Sequence, residues 1–254
     1  MELKDKVIVV TGGASGIGKE MCRRFAREGA KKVIVADLNG EGAAAVAAEF
    51  GGHSIAVDVR KESEIVELIN ATEVQFGPID LFCSNAGIGI GKNIDEPDEV
   101  WQTIWEVNTM AHVWAARHLV PLMIARGGGY LLNTSSAAGL LNQIGSVTYA
   151  VTKHAAVALA EWLSITYGDQ GIKVSVLCPQ AVNTPLVAGG AGVAGVDGMI
   201  EPEVAVEAVV ETLREEKFLV LPHPEVAEYM KRKAADYDRW LKGMRRLQNQ
   251  YAKE

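Results

Sequence analysis

The 254-residue chain has few cysteines and histidines and no long apolar run, and each scarcity removes a class of function. No apolar stretch reaches the roughly 18–20 residues that a bilayer-crossing helix needs, so no membrane partner is expected. The opening residues, Met1 to Lys6, lack the apolar core of a secretion signal, which points to a cytoplasmic protein. Cys22, Cys83 and Cys178 are scattered, form no CxxC pair and give no disulfide framework. Cys83 and Cys178 lie in apolar runs and read as small core residues. Among the five histidines, His112 and His118 stand six apart on one helical stretch, a spacing that suits no metal pair, so no metal is expected. A formal charge of −7 argues against a nucleic-acid partner. No Pro- or Ser-rich linker divides the chain, which predicts a single domain.

Short β-branched apolar runs alternate with amphipathic stretches. Strands are expected at 6–11, 32–37, 54–58, 79–84, 129–134, 173–178 and 217–221. Helices are expected near 17–29, 40–50, 62–76, 98–126, 148–168 and 202–215. This rhythm predicts βαβ units, and hence an α/β, Rossmann-like, doubly wound parallel sheet of seven strands with helices on both faces. Residues 1–222 would form that body and 223–254 a C-terminal helical tail. Residues 185–200 are rich in Gly and Ala and read as a lid or binding loop. In the tail Met230, Tyr237, Met244 and Tyr251 recur every seven residues, with Val226, Trp240 and Leu247 interleaved. Such a stripe needs a surface to cover, either the protein's own body or a second subunit. The tail carries eight Lys/Arg against five Asp/Glu, a net +3 within an acidic chain.

The first strand runs into TGGASGIG at residues 11–18, and a helix follows. Strand, glycine turn and helix N-terminus together make a diphosphate site, because free N–H groups and the helix dipole favour an anion. GxGxxG does not fit, since Ser15 breaks it from Gly13 and Met21 breaks it from Gly16. A Walker A loop fails because Glu20 stands where the magnesium-binding Ser/Thr would be. The second strand ends in Asp37, 19 residues after Gly18, where a carboxylate accepts hydrogen bonds from an adenosine ribose. A 2′-phosphate about 4 Å away would be repelled by about 4 kcal/mol at an effective dielectric near 20. NAD is therefore expected over NADP.

Tyr149 and Lys153 lie one turn apart on the predicted helix 148–168. A fixed cation beside a phenol stabilises the phenolate, lowers its pKa from about 10 and makes it a general acid/base. The pair alone is weak evidence, because this spacing occurs by chance on many helices.

Over about residues 4–221 the chain resembles the short-chain dehydrogenase/reductase family in its smaller, single-domain branch. TGGASGIG matches that branch's TGxxxGxG. The resemblance implies that Gly12, Ser15, Gly16, Ile17 and Gly18 hold the diphosphate. Asp58 and Val59 would contact the adenine ring, and Ser84-Asn85-Ala86-Gly87 resembles the family's NNAG. Asn108 matches the asparagine that kinks its helix and anchors a water chain to the lysine. Ser136, 13 residues before Tyr149, matches the catalytic serine. Val182 and Thr184, in a PGxVxT-like run, would hold the nicotinamide carboxamide, and Lys153 would also bind the nicotinamide ribose. Two departures stand out: Gln180 replaces a usual glycine, and the striped tail replaces a glycine-rich ending that commonly packs in tetramers.

The resemblance implies an NAD-dependent oxidoreductase that interconverts a secondary alcohol and a ketone, built as a homo-oligomer, either dimer or tetramer. Ile88, Ile90, Leu140, Leu141, Val187 and Met199 follow the catalytic elements with no basic residue among them, so a compact, hydrophobic, uncharged substrate is expected. A same-fold lyase or epimerase, or a non-catalytic NAD-binding regulator, is the alternative. The first would be expected to carry the other glycine spacing, and the second would have no need of Ser136, Tyr149 and Lys153 together.

Overall fold

Residues 1–251 are described by a computed structural model. Its centre is β1 (Val7–Thr11), every residue of which is buried. A strand covered on both faces has no polar side, which is why it reads as a continuous apolar run. The elements that follow are α1 (Gly16–Arg27), β2 (Lys32–Asp37), α2 (Gly40–Ala48), β3 (His53–Ala56), α3 (Glu62–Phe76) and β4 (Leu81–Ser84). Next come α4 (Asp98–Trp105), a π-turn (Glu106–Met110), α5 (Ala111–Ala125), β5 (Gly129–Thr134), α6 (Ala138–Leu141) and α7 (Val147–Tyr167). The chain continues through β6 (Ile172–Leu177), α8 (Pro202–Glu215), β7 (Leu219–Val220), α9 (Glu225–Ala235) and α10 (Tyr237–Tyr251).

The seven strands form one parallel sheet in the order β3-β2-β1-β4-β5-β6-β7. Alternate side chains feed two cores. Val7, Val9, Ile34, Ala36 and Leu131 point to one, with Ile65, Leu68 and Ile69 of α3, Leu119 of α5 and Leu163 of α7. Ile8, Val10, Val33, Val35 and Leu132 point to the other, with Met21 and Phe25 of α1, Val46 of α2 and Val209 of α8. Each fully buried Ile, Leu or Phe stabilises the fold by about 1.5–3 kcal/mol. The hydroxyl of fully buried Tyr130 pairs with Ser175 at 2.7 Å, and Ser175 donates to Lys217 O at 2.6 Å, so no polar tip is stranded there.

Chain order reverses on either side of β1, which lies between β2 and β4. Loops leaving the C-terminal ends of these strands diverge and open a crevice, the usual ligand position in such sheets.

Several element boundaries differ from the sequence expectation. β3 stops at Ala56 rather than 58, and β7 has only two residues. The expected helix 98–126 is divided by the π-turn, and α6 was not expected. The striped tail is two helices, broken at Asp236 (φ −156°, ψ 95°), where the Asp236 side chain accepts from Arg239 N at 2.9 Å and caps α10. Val226 of α9 packs with Ala137 and Leu141, while Met230 and Trp240 lean on the same cluster.

Candidate active site

The crevice is a cavity of about 660 Å³. Its floor begins at the glycine turn, where Gly12 and Gly16 take left-handed backbone (φ 67° and 53°). A Cβ on Gly18 would lie 2.2 Å from Gly12 O and 2.5 Å from the Asn85 amide nitrogen, so no larger residue fits. The first N–H groups of α1, which no preceding helical turn satisfies, open where Gly12, Ser15, Gly16 and Ile17 line the cavity. The residues present therefore fit a dinucleotide diphosphate. Thr11 holds this turn to the strand beside it: its hydroxyl accepts from Asn85 N (2.9 Å) and Ala86 N (3.1 Å), and its carbonyl accepts from the Asn85 side chain (3.0 Å).

Asp37 lines the same cavity, its carboxylate fixed by Ala14 N (3.0 Å) and Asn39 N (2.9 Å). Asp58 and Val59 line it as well. The Asp58 carboxylate is gripped by Arg60 in two parallel bonds of 2.9 and 2.7 Å, and this guanidinium holds its pKa below the usual carboxylate range. Thr184 sits against the glycine turn, its Cγ2 3.0 Å from where a Gly16 Cβ would be, and Val182 forms an isolated bridge with Ile200.

Across the crevice, α7 carries Tyr149 and Lys153. Ser146 anchors its N-terminus by accepting from Tyr149 N (3.4 Å) and donating to Gly91 O (2.7 Å), which ties the loop after β4 to the helix. Ser135 donates to Lys153 O at 2.8 Å, and Gly139 is so close that a Cβ would lie 2.4 Å from that oxygen. These contacts fix Ser136 against α7; Ser136 donates to Pro179 O (3.3 Å) and accepts from Ala138 N (3.1 Å).

Lys153 is 2% exposed, its ammonium donates to Thr134 O at 3.0 Å, and burial lowers its pKa to about 8. That nitrogen lies 5.6 Å from the centre of the Tyr149 ring. The phenol behaves opposite to the sequence expectation. Burial pushes its pKa above 10, and hydrogen bonding from Ser136 opposes this only in part.

The Asn108 side chain is fully buried and fully engaged. It accepts from Ile88 N (2.9 Å) and donates to Ile88 O (2.9 Å) and to Thr152 (3.3 Å). One turn on, His112 is buried with neither ring nitrogen partnered among the described residues, and burial lowers its pKa to about 3.

Gln180 lines the cavity, and its side chain reaches the 185–200 loop. Its amide donates to Asp197 at 2.9 Å, Tyr229 of α9 donates to the other Asp197 oxygen at 2.9 Å, and Gln180 N donates to His223 at 3.2 Å. The 185–200 loop is thereby tied to the tail.

All four expected catalytic residues meet at or beside the cavity, and the cofactor residues surround its other end. Sequence reasoning missed Thr11, Arg60, Ser135, Gly139 and the cavity-lining cation Lys92. Asp58-x-Arg60 was a readable signal, a cation two residues from a carboxylate. Lys92 had none, because the bond from Ser146 to Gly91 brings it in.

Among known proteins, the family model for short chain dehydrogenase matches residues 6–190. The chain is 36% identical over 229 residues to 1-deoxy-11-beta-hydroxypentalenate dehydrogenase of Streptomyces exfoliatus, covering 86% of this chain and 83% of that one. A Burkholderia phymatum short chain dehydrogenase/reductase solved with NAD superposes with a TM-score of 0.85 at 24% identity, over 94% of this chain and 96% of that one. A Brucella melitensis 3-ketoacyl-(acyl-carrier-protein) reductase solved with NADH superposes with a TM-score of 0.79 at 29% identity, over 86% and 96%.

Proposed function

As the chain belongs to the short-chain dehydrogenase/reductase family, we propose that it is an NAD-dependent oxidoreductase interconverting a secondary alcohol and a ketone. The observation that carries this reading is one cavity with the open N-terminus of α1 and Asp37 at one end and Ser136, Tyr149 and Lys153 at the other. The NADH-bound Brucella reductase and the hydroxypentalenate dehydrogenase support it as relatives in fold and sequence.

The α1 N-terminus takes the diphosphate and Asp37 the adenosine ribose. Asp58 and Val59 border the adenine, Asn85, Ala86 and Gly87 the middle of the cleft, and Val182 and Thr184 the carboxamide. Arg60 is the nearest candidate to welcome a 2′-phosphate, but Asp58 already engages it, so Asp37 still disfavours NADP. A bound oxidised nicotinamide supplies the hydride acceptor and one positive charge beside the phenol.

Ser136 hydrogen-bonds the substrate oxygen and holds the carbinol for transfer. Tyr149 takes its proton in oxidation and returns it in reduction. Lys153, with a pKa near 8, is mostly charged at neutral pH and offsets the developing phenolate. Asn108 acts as a positioning residue: its amide is spent on Ile88 and Thr152, so it orders the wall of the cleft. Ile88, Leu186 and Val187 give the cavity an apolar lining that suits hydrocarbon flanking the carbinol, and Lys92 lines the same cavity.

Exposed Trp105, Leu122, Val151, Trp162 and Ile165 on α4, α5 and α7 offer an apolar face for a homo-oligomer. Three buried, unpaired cysteines suit a cytoplasmic setting.

The test is NADH formation over a panel of secondary alcohols of graded size. One NADH per ketone formed, with kcat/KM for NAD well above that for NADP, is expected. Failure of every alcohol and ketone in both directions would remove the reading.

A further inference from the structure

A second cavity of about 610 Å³ lies between the 185–200 loop and the C-terminal helices. It adjoins the catalytic one, since Ser136, Gln143, Gln180 and Ala194 line both. Its walls are apolar where Leu141, Val193, Val196, Trp240, Met244 and Leu247 face it. Three arginines, Arg232, Arg239 and Arg246, share that lining and recur every seven residues. Arg232 comes from α9 and the other two from α10.

We propose that this cavity is a subsite for the anionic end of the substrate, which is therefore an apolar secondary alcohol with a carboxylate or phosphate remote from the carbinol. The inference rests on the dehydrogenase reading for the location of the carbinol, and on the second cavity alone for the anion. Apolar walls beside Ser136 take the hydrocarbon between the two ends.

The arginines are available. Among the described residues none of the three makes an ion pair, although Arg23, Arg24, Arg60, Arg117, Arg126 and Arg214 all do. Arg232 lies over the Tyr229 ring at 5.7 Å, which leaves its donors free. The carboxylates nearby are already committed. Asp236 lines the cavity but caps α10 through Arg239 N, and Asp197 accepts from Gln180 and Tyr229.

A guanidinium fork matches carboxylate and phosphate oxygens, and beside apolar walls such a bond is worth more than in open water. The tail is also net positive within an acidic protein, so its field draws anions to this end of the crevice. On this proposal the substrate is uncharged around the carbinol and charged only at its far end, where the cations come from helices distant in sequence from the catalytic elements.

The experiment pairs binding with turnover. Binding uses dodecanoate and dodecanol as probes, followed by calorimetry and by the fluorescence of Trp240 with Trp240→Phe as control. Turnover uses a hydroxydodecanoate with its hydroxyl on the penultimate carbon, against its methyl ester. Dodecanoate should bind at least about tenfold more tightly than dodecanol, the worth of one charge-assisted bond. The hydroxy acid should exceed its ester in kcat/KM by a similar factor, mainly through KM. In the double variant Arg239→Gln, Arg246→Gln both preferences should fall to about one, and Arg239→Lys, Arg246→Lys should keep part of them by charge alone. These side chains are exposed, so the folded state of each variant is checked by its melting curve.

Equal binding of dodecanoate and dodecanol, or an acid preference that survives the glutamine pair, overturns the subsite. Arginine-dependent binding of dodecanoate in a protein that oxidises no alcohol leaves the subsite standing and overturns the dehydrogenase reading instead.

Discussion

Replacing His112 by leucine should make the protein markedly less sensitive to acid. His112 is 2% exposed, neither ring nitrogen has a partner among the described residues, and burial lowers its pKa from 6.5 to about 3, with Lys153 adding to the effect. The unfolded chain takes up a proton at this residue below pH 6.5, whereas the folded chain refuses it until about pH 3. Between those limits the unfolded state binds more protons, so stability falls as pH falls. Each unit is worth about 1.4 kcal/mol, which gives a loss of roughly 2 kcal/mol at pH 5 and roughly 5 kcal/mol by pH 3. At pH 7.5 the loss is near zero. The assay is urea unfolding of wild type and His112→Leu at pH 7.5 and pH 5. Other acid-sensitive groups are common to both proteins, so the quantity to read is the change in their stability difference. It should move by about 2 kcal/mol in favour of the variant. A stability difference that is the same at both pH values would mean that the buried imidazole takes up its proton normally, and the reasoning from burial would fail.

Tyr149→Phe should lower kcat at least about a hundredfold, the usual worth of a positioned general acid/base, while titration shows NAD binding retained; near-full activity would remove the phenol from the chemistry. Asp37→Ser should raise kcat/KM for NADP relative to NAD by at least about tenfold, since a repulsion of a few kcal/mol is removed, and steady-state kinetics with both cofactors reads it. Gly139→Ala should destabilise the protein by about 1–3 kcal/mol in urea unfolding and depress activity with it. Its new methyl would lie 2.4 Å from Lys153 O and 2.6 Å from the Ser135 hydroxyl. Tyr229→Phe removes the bond from α9 to Asp197, and hydrogen exchange across residues 188–199 should quicken about fivefold, the equivalent of roughly 1 kcal/mol.

The parts of this molecule that were legible in its sequence are those whose causes are local. β1 and β2 show as unbroken apolar runs because both their faces are covered, and Gly12, Gly16 and Gly18 show because the turn permits nothing else. Tyr149 and Lys153 show as a pair one turn apart, and Ser136 shows only through the family resemblance. Their electrostatics do not. The pair on one helix suggested a phenol pulled down by its neighbour, but burial acts on Tyr149 from the whole surrounding protein and pushes the other way. Ser135 and Gly139 matter through contacts made on folding, and the pattern of residue types gives those no signature. β7 was expected to be longer because apolar residues flank it, whereas only Leu219 and Val220 take up strand register against β6. The break in the tail carried a signal that periodicity obscured: Asp236, three residues before Arg239, is a helix-capping aspartate in the middle of an otherwise continuous stripe.

The π-turn at Glu106–Met110 has the geometry of a helix carrying one residue too many. A single insertion advances everything beyond it by about 100° around the axis, since an α-helix has 3.6 residues per turn. The two ends of this long stretch are thus indexed independently. Ile104 keys α4 into the body on one phase, and Ala111, Ala115 and Leu119 key α5 into the sheet on another. Asn108 sits in the seam between them, where it braces Ile88 without belonging wholly to either frame. A one-residue deletion there would force a choice between the two frames: keep α5 seated and swing α4 off the body, or keep α4 and rotate α5 out of the core. Substitutions along this segment leave the indexing intact. Outside Asn108, the segment should therefore tolerate a change of residue identity better than any change of length.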